Sequence, residues 1–221
     1  MMTKAGCHII RFADLSWSYP NAQHPNSEKE KIYWHDDQNH LTLKYVECSK
    51  PVAENSIQGS GLYAHTLLEG SATSHNNTVL SAMDVLLSGQ IPSYSLQQST
   101  HAHFFSCHQN DATLHAIQTQ VLASSTAAWD PKAGGLLHMK PLINKQAGRL
   151  MLTAMRLSAG FTVPVGSRPH IQAALVLEGY AQLESEKLMP KDFMVMDSGV
   201  AHGPIQFPEG ATLLMLAMNP A

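Results

Sequence analysis

The chain has 221 residues, 44% hydrophobic and 14% charged, with a formal net charge of −3, long enough for one large domain or two small ones with a sizeable core. No run of Lys or Arg has the length that would favour nucleic acid or an anionic membrane, and no apolar stretch approaches the roughly 20 residues that span a bilayer. Cys7, Cys48 and Cys107 are odd in number and far apart, which supports neither a disulfide framework nor a zinc ribbon.

The start, MMTKAGCHIIRF, lacks the apolar core of a signal peptide. The expected location is cytoplasmic, and the expected partner is a small molecule rather than nucleic acid or a membrane. Along the chain, alternating or apolar runs fall at residues 41–47, 62–68, 83–88 and 101–107. A second set follows at 150–157, 170–177, 193–197 and 211–217. Gly, Pro, Asn and Ser punctuate both, as in SATSHNN and GPIQFPEG, and such short, evenly spaced runs predict an all-β sandwich or barrel. Between the sets, ATLHAIQTQVLAS places Leu114, Ile117 and Val121 at helical spacing. Its second half fits equally well as a strand matching CHIIRFA, so a short helical turn followed by a strand is predicted there.

The two sets are copies of one pattern. With Leu41 laid over Leu150, the residues Leu43, Ser49, Ala64, Leu68, Glu69, Gly70 and Ala72 recur as Leu152, Ser158, Ala173, Leu177, Glu178, Gly179 and Ala181. Upstream, Trp17 in SWSYP answers Trp129 in AAWDP. The join falls near residues 108–115, so the expected domains are 1–110 and 111–221.

VLEG at 176–179, Asp192 before a short apolar strand, and DSGVAH at 197–202 line up in the second copy. Together they resemble the two motifs of the cupin superfamily. In that family a strand with paired histidines and a carboxylate runs into a Gly turn, and a later motif adds another histidine. The resemblance implies two tandem cupin-type jelly-roll (double-stranded β-helix) barrels, in which four ligands hold one metal per barrel, and the apolar residues on both sides of IQAALVL predict that the barrels pack as a pseudo-dimer. The lead-in Trp129, Pro131, Lys140, Pro141 and Leu142 is similar to that of two-barrel cupins related to ChrR-like anti-sigma-factor cupins and a neighbouring family of unknown function. Because the β pattern begins almost at once, direct sigma-factor binding is not expected.

His202 stands at the second-motif histidine position, with Gly199 three residues ahead. The first motif departs from the pattern. Gly166 and Arg168 occupy its histidine positions, and Ile171 or Gln172 its carboxylate position. In the first copy the corresponding residues are Ile57, Gly59, Leu62 or Tyr63, and Tyr94, which implies a degenerate N-terminal metal site.

If residues 166–179 form one strand, Arg168, His170 and Gln172 share a face. Two readings of the C-terminal barrel compete. In one, Arg168, His170, Gln172 and His202 bind a small anionic organic molecule, since a guanidinium suits carboxylate or phosphate. This reading requires no cofactor and fits a sensory or regulatory role. In the other, His170 and His202 hold a divalent ion (Zn, Fe, Mn or Ni), and the protein is a dioxygenase, isomerase or lyase. Tyr63, His65 and Tyr94 would line a more aromatic pocket in the first barrel, with core filling as the competing role.

His101 and His103 form an H-x-H pair outside the ligand positions. His24, His35, His40, His75 and His108 sit in polar contexts that predict solvated surface roles. Cys48 and Cys107 are expected to be buried thiols. A fused pseudo-dimer leaves a homodimer open.

Overall fold

The structure is a computed structural model that describes residues 2–4, 6–19, 28–49, 61–74, 76–90, 94–96, 101–114, 116–144 and 150–219. Ile57, Gly59, His24 and His75 lie outside the described residues. Strands dominate, all paired antiparallel, and the helical pieces among the described residues are short 3-10 turns such as Ala112–Leu114 and Ser124–Thr126. No helix among the described residues is long and apolar enough to cross a membrane.

Two compact units form, one from Leu15–Thr126 and one from Met1–Asp14 with Ala127–Ala221. The N-terminal unit has a six-stranded sheet in the order Gln120–Leu122, Val85–Ser88, Leu62–Glu69, Ala102–Gln109, Leu41–Cys48, Glu28–Asp36. A three-stranded sheet of Val79–Leu80, Ala72–Ser74 and Tyr94–Leu96 completes it. Val46, Leu67, Phe104 and Leu86 from the larger sheet pack with Ala72, Leu80 and Tyr94 from the smaller.

In the C-terminal unit the larger sheet has eight strands, ordered Met2–Lys4, Cys7–Ile10, Phe193–Met196, Ile171–Gly179, Ala211–Met218, Leu150–Leu157, Leu137–Ile143, Asp130–Lys132. Opposite it stands a four-stranded sheet of Phe161–Val163, Ile205–Phe207, Ala181–Leu183 and Glu186–Leu188. Their shared core includes Met155, Ala174, Val176, Met194, Met196, Leu183, Ile205 and Phe207.

The predicted turn and strand within ATLHAIQTQVLAS both form, at Ala112–Leu114 and Gln120–Leu122. The strand does not lead into its own copy, however. Gln120–Leu122 pairs with Val85–Ser88 of the first copy, while its counterpart Cys7–Ile10 pairs with Phe193–Met196 of the second. Relative to the expected boundary at 110/111, the leading segment of each copy therefore groups with the other copy's sheet.

A buried aspartate at equivalent positions fastens each of these leaders. Asp192 accepts N–H bonds from Met189 at 3.0 Å and from Phe12 at 2.9 Å, and an Arg11 Nη1 bond at 2.9 Å. Asp84 accepts N–H bonds from Ser81 at 2.8 Å and Ser124 at 2.7 Å.

The repeated glycines also have a common cause. Gly70 and Gly179 have φ of +91° and +68°, and a Cβ on either would lie 2.0 or 2.2 Å from the carbonyl oxygen of His101 or Gly210. Only glycine allows both that backbone conformation and that approach.

Candidate functional site

The strand predicted to carry Arg168, His170 and Gln172 begins only at Ile171. Gln172 lies on its inner face with Ala174 and Val176, which belong to the core, whereas Ile171, Ala173 and Leu175 are buried on the opposite face. Arg168 and His170 precede the strand, so alternation does not place them. Pro169 between them cannot donate to a ladder, and the backbone of this segment bonds elsewhere. Gly166 and His202 exchange N–H···O bonds of 3.1 and 3.0 Å, and the Arg168 carbonyl accepts the Gly199 N–H at 2.7 Å.

These bonds bring the Arg168 and His202 segments together as the resemblance implied, but through turns rather than a shared strand face. The Arg168 side chain is exposed, and its Nη1 donates to the Ser167 carbonyl at 3.0 Å. Among the described residues no carboxylate pairs with it. His170 is half-buried, and its pKa is lowered from 6.5 by desolvation and then by the Arg168 charge. His202 Nδ1 lies 3.2 Å from the Val200 carbonyl. A carbonyl only accepts, so Nδ1 carries the proton of that bond, and in the neutral ring Nε2 keeps its lone pair.

The inward face of the larger sheet carries mainly thioethers and small side chains, which belong to the core. Strand register places Cys7, Met196, Gln172 and Ala217 in one row, and Ile9, Met194, Ala174 and Met215 in the next. Burial raises the Cys7 thiol pKa to about 11, so it is a buried thiol rather than a nucleophile.

The N-terminal barrel differs in kind. Register sets His65 opposite Ser106 and Ser106 opposite Lys44. The adjacent row places Ser88, Tyr63, His108 and Thr42 side by side. His65 Nε2 lies 3.2 Å from Ser106 Oγ, and its ring is 6.2 Å from that of Tyr94. Burial, then the Lys44 and His108 charges, depress the His65 pKa to about 3. Lys44 Nζ is 2.9 Å from the buried Glu30 carboxylate. Tyr63 stacks on His108 with centroids 4.1 Å apart, and the Tyr94 hydroxyl is 2.9 Å from Cys48 Sγ.

Tyr63, His65 and Tyr94 thus lie in one neighbourhood of this barrel. Sequence reading missed Glu30, Lys44, Ser106 and His108. Lys44 within LTLKYVEC, and Ser106 with His108 at alternate positions of AHFFSCHQ, were the available signals. His108 is not the solvated surface residue expected, because its ring is drawn onto Tyr63. His103 pairs with Glu69 at 3.0 Å. Cys48 and Cys107 are buried, as expected, and burial raises both thiols, Cys48 to about 12.

Comparison with solved structures finds whole-chain likeness. One is Streptomyces albus HEPD with 2-hydroxyethylphosphonate and Fe(II) bound, with a TM-score of 0.75, 10% identity, and coverage of 98% of this chain and 77% of that one. Another is the bacterial pirin YhhW from Escherichia coli in complex with nickel(II), with a TM-score of 0.68, 9% identity, and coverage of 97% and 100%. A cupin 2 conserved barrel domain protein from Leptotrichia buccalis has a TM-score of 0.58 at 14% identity, covering 87% of this chain and 89% of that one. A scan against protein-family models and a search of curated proteins returned no match. The chain therefore has the cupin-type jelly-roll fold, and a fold shared at such identities does not carry an activity with it.

Proposed function

We propose that the protein is a two-barrel cupin, related to the ChrR-like group, whose C-terminal barrel binds a small organic anion in a sensory or regulatory role. The observation that supports this is Arg168. Its guanidinium is exposed beside His170 and the His202 segment, is bonded by its Nη1 to a carbonyl, and has no carboxylate partner among the described residues. A guanidinium fork presents paired donors to carboxylate or phosphate, and its charge does not titrate away. His170, whose pKa is lowered by desolvation and the Arg168 charge, and the Nε2 of His202 add polar contacts without a competing negative charge. Gln172, near the start of its strand, adds an amide in register with Met196 on the inward face. Flexible thioethers there suit an apolar ligand body.

A divalent ion is the alternative suggested by neighbours that hold Fe(II) and nickel(II). The residues here do not fit one. No group of three or more His, Cys, Asp or Glu among the described residues is arranged to hold a metal. His170 and His202 would have to rely on the Gln172 amide, a weak ligand for such ions.

The test is calorimetric titration with a panel of small carboxylates and phosphate monoesters, using the wild type and Arg168→Ala. Saturable binding of one of them, weakened about tenfold or more by the substitution, is expected. Affinity unchanged by Arg168→Ala, or stoichiometric uptake of a divalent ion lost in a His170→Ala, His202→Ala variant, would overturn the reading.

A further inference from the structure

The N-terminal barrel contains a polar atom that the protein itself leaves unsatisfied. His65 is 8% exposed, and its Nδ1 has no hydrogen-bond partner among the described residues. Buried donors without an acceptor are rare in folded proteins, and each calls for a ligand, a water or a functional reason. Its other nitrogen determines which kind of orphan it is. Nε2 lies 3.2 Å from the hydroxyl of Ser106, which is itself buried and has no other partner among the described residues. That O–H has only this acceptor to donate to, so Nε2 accepts and the ring proton resides on Nδ1. The orphan is a donor, and what it lacks is an oxygen or nitrogen acceptor.

The surroundings narrow the class of acceptor. The nearby cation, Lys44, is already held by Glu30 at 2.9 Å. Glu28 stands on the same strand, and burial followed by the Glu30 charge raises its pKa. An anion entering here would find its counter-charge taken and carboxylates beside it, so an uncharged acceptor fits better. Phe104 and Tyr94 flank the imidazole with ring centroids 6.1 and 6.2 Å away. They form an aromatic wall beside the imidazole.

We infer that the N-terminal barrel is a second ligand site, in which the carbonyl oxygen of a small uncharged amide or ketone accepts the Nδ1–H of His65. The apolar part of that molecule lies against Tyr94 and Phe104. This site is separate from the one proposed at Arg168 and takes an uncharged ligand instead of an anion.

The experiment uses the full chain labelled with 15N-histidine and follows the His65 ring resonances during titration with N-methylacetamide, with sodium acetate as the anionic comparison. A saturable shift of the His65 Nδ1 signal is expected with N-methylacetamide, at least about tenfold weaker with acetate. The same response is expected in Arg168→Ala, which separates this site from the C-terminal one. Ser106→Ala, which releases the tautomer, weakens the response, and His65→Phe abolishes N-methylacetamide binding measured by saturation transfer. If His65→Phe does not fold, the wild-type titration decides alone. A His65 signal indifferent to N-methylacetamide, with its Nδ1 proton exchanging only with an ordered water, overturns the inference, as does equal response to acetate.

Discussion

The two barrels have the same scaffold and opposite interiors. The equivalent glycines Gly70 and Gly179, the equivalent aspartates Asp84 and Asp192, and the reciprocal leading strands recur in both units. Inside, the N-terminal barrel carries Glu30, Lys44, His65, Ser106 and Tyr63 across its larger sheet, whereas the same face of the C-terminal barrel carries Met196, Gln172, Ala174, Met194 and Met215. Duplication retained what closes the fold, where backbone approaches backbone. The inward side chains, answerable only to packing and to whatever enters, diverged.

The barrel that the motif comparison calls degenerate is thus the more polar one inside. In the barrel that retains His202, Gln172 faces inward, whereas Arg168 and His202 lie outside the named strands.

The largest expected effect tests the shared scaffold. Gly70→Ala and Gly179→Ala each force a side chain into a left-handed backbone against a carbonyl, and each should cost about 2–4 kcal/mol in urea unfolding. A clear inequality between the two would mean that one barrel can relax where the other cannot.

Next come the aspartate clamps. Asp192→Ala leaves the Met189 and Phe12 N–H donors without their acceptor and takes one of two carboxylate partners from Arg11, which keeps Glu186, while Asp84→Ala leaves the Ser81 and Ser124 N–H groups without theirs, so losses of about 2–3 and 1–2 kcal/mol are expected. Equal losses would show that the Arg11 contact contributes nothing.

Acid sensitivity should then separate the interiors. The folded pKa of His65 is depressed to about 3 from 6.5. The unfolded chain therefore takes up a proton that the folded chain refuses, and stability is lost as pH falls below about 6.5. The loss attributable to His65 is about 2 kcal/mol at about pH 5. Glu28, whose folded pKa burial raises, acts in the opposite sense, regaining stability as pH falls, so between about pH 6.5 and 5 the His65 contribution is read as the difference between the wild type and a His65 variant. His65→Phe should flatten the slope there by close to one proton, and an unchanged slope would remove His65 as the source.

A smaller effect is expected in the other barrel. Met194→Leu or Met196→Leu should cost less than about 1.5 kcal/mol, because flexible thioethers tolerate exchange for similar volume. The smallest is Arg168→Ala, which should leave thermal stability within about 0.5 kcal/mol while weakening anion binding, as expected of an exposed residue. Loss of stability there would make Arg168 a structural residue of the turn.

Much of this architecture was legible in the residues. Repeated LLEG and VLEG, evenly spaced apolar runs and turn residues between them determined an all-β duplicated fold, because strand period and turn chemistry are local properties. Alternation also determined which side chains of LYAHTLLE or LTLKYVEC share a face. What lies opposite what was decided only by tertiary closure.

His65 meets Ser106 and Lys44 through register between strands far apart in the chain, and period two specifies a face but not a register. The leading strands could have completed either copy by pattern alone, and their pairing followed from the closed sheets. Arg168 and His170 looked like strand residues until Gly166 bonded to His202 and took the segment out of the sheet. Sequence determined the elements and their faces; the folded backbone decided which polar groups meet, because hydrogen-bond partners are chosen in three dimensions after the strands have closed.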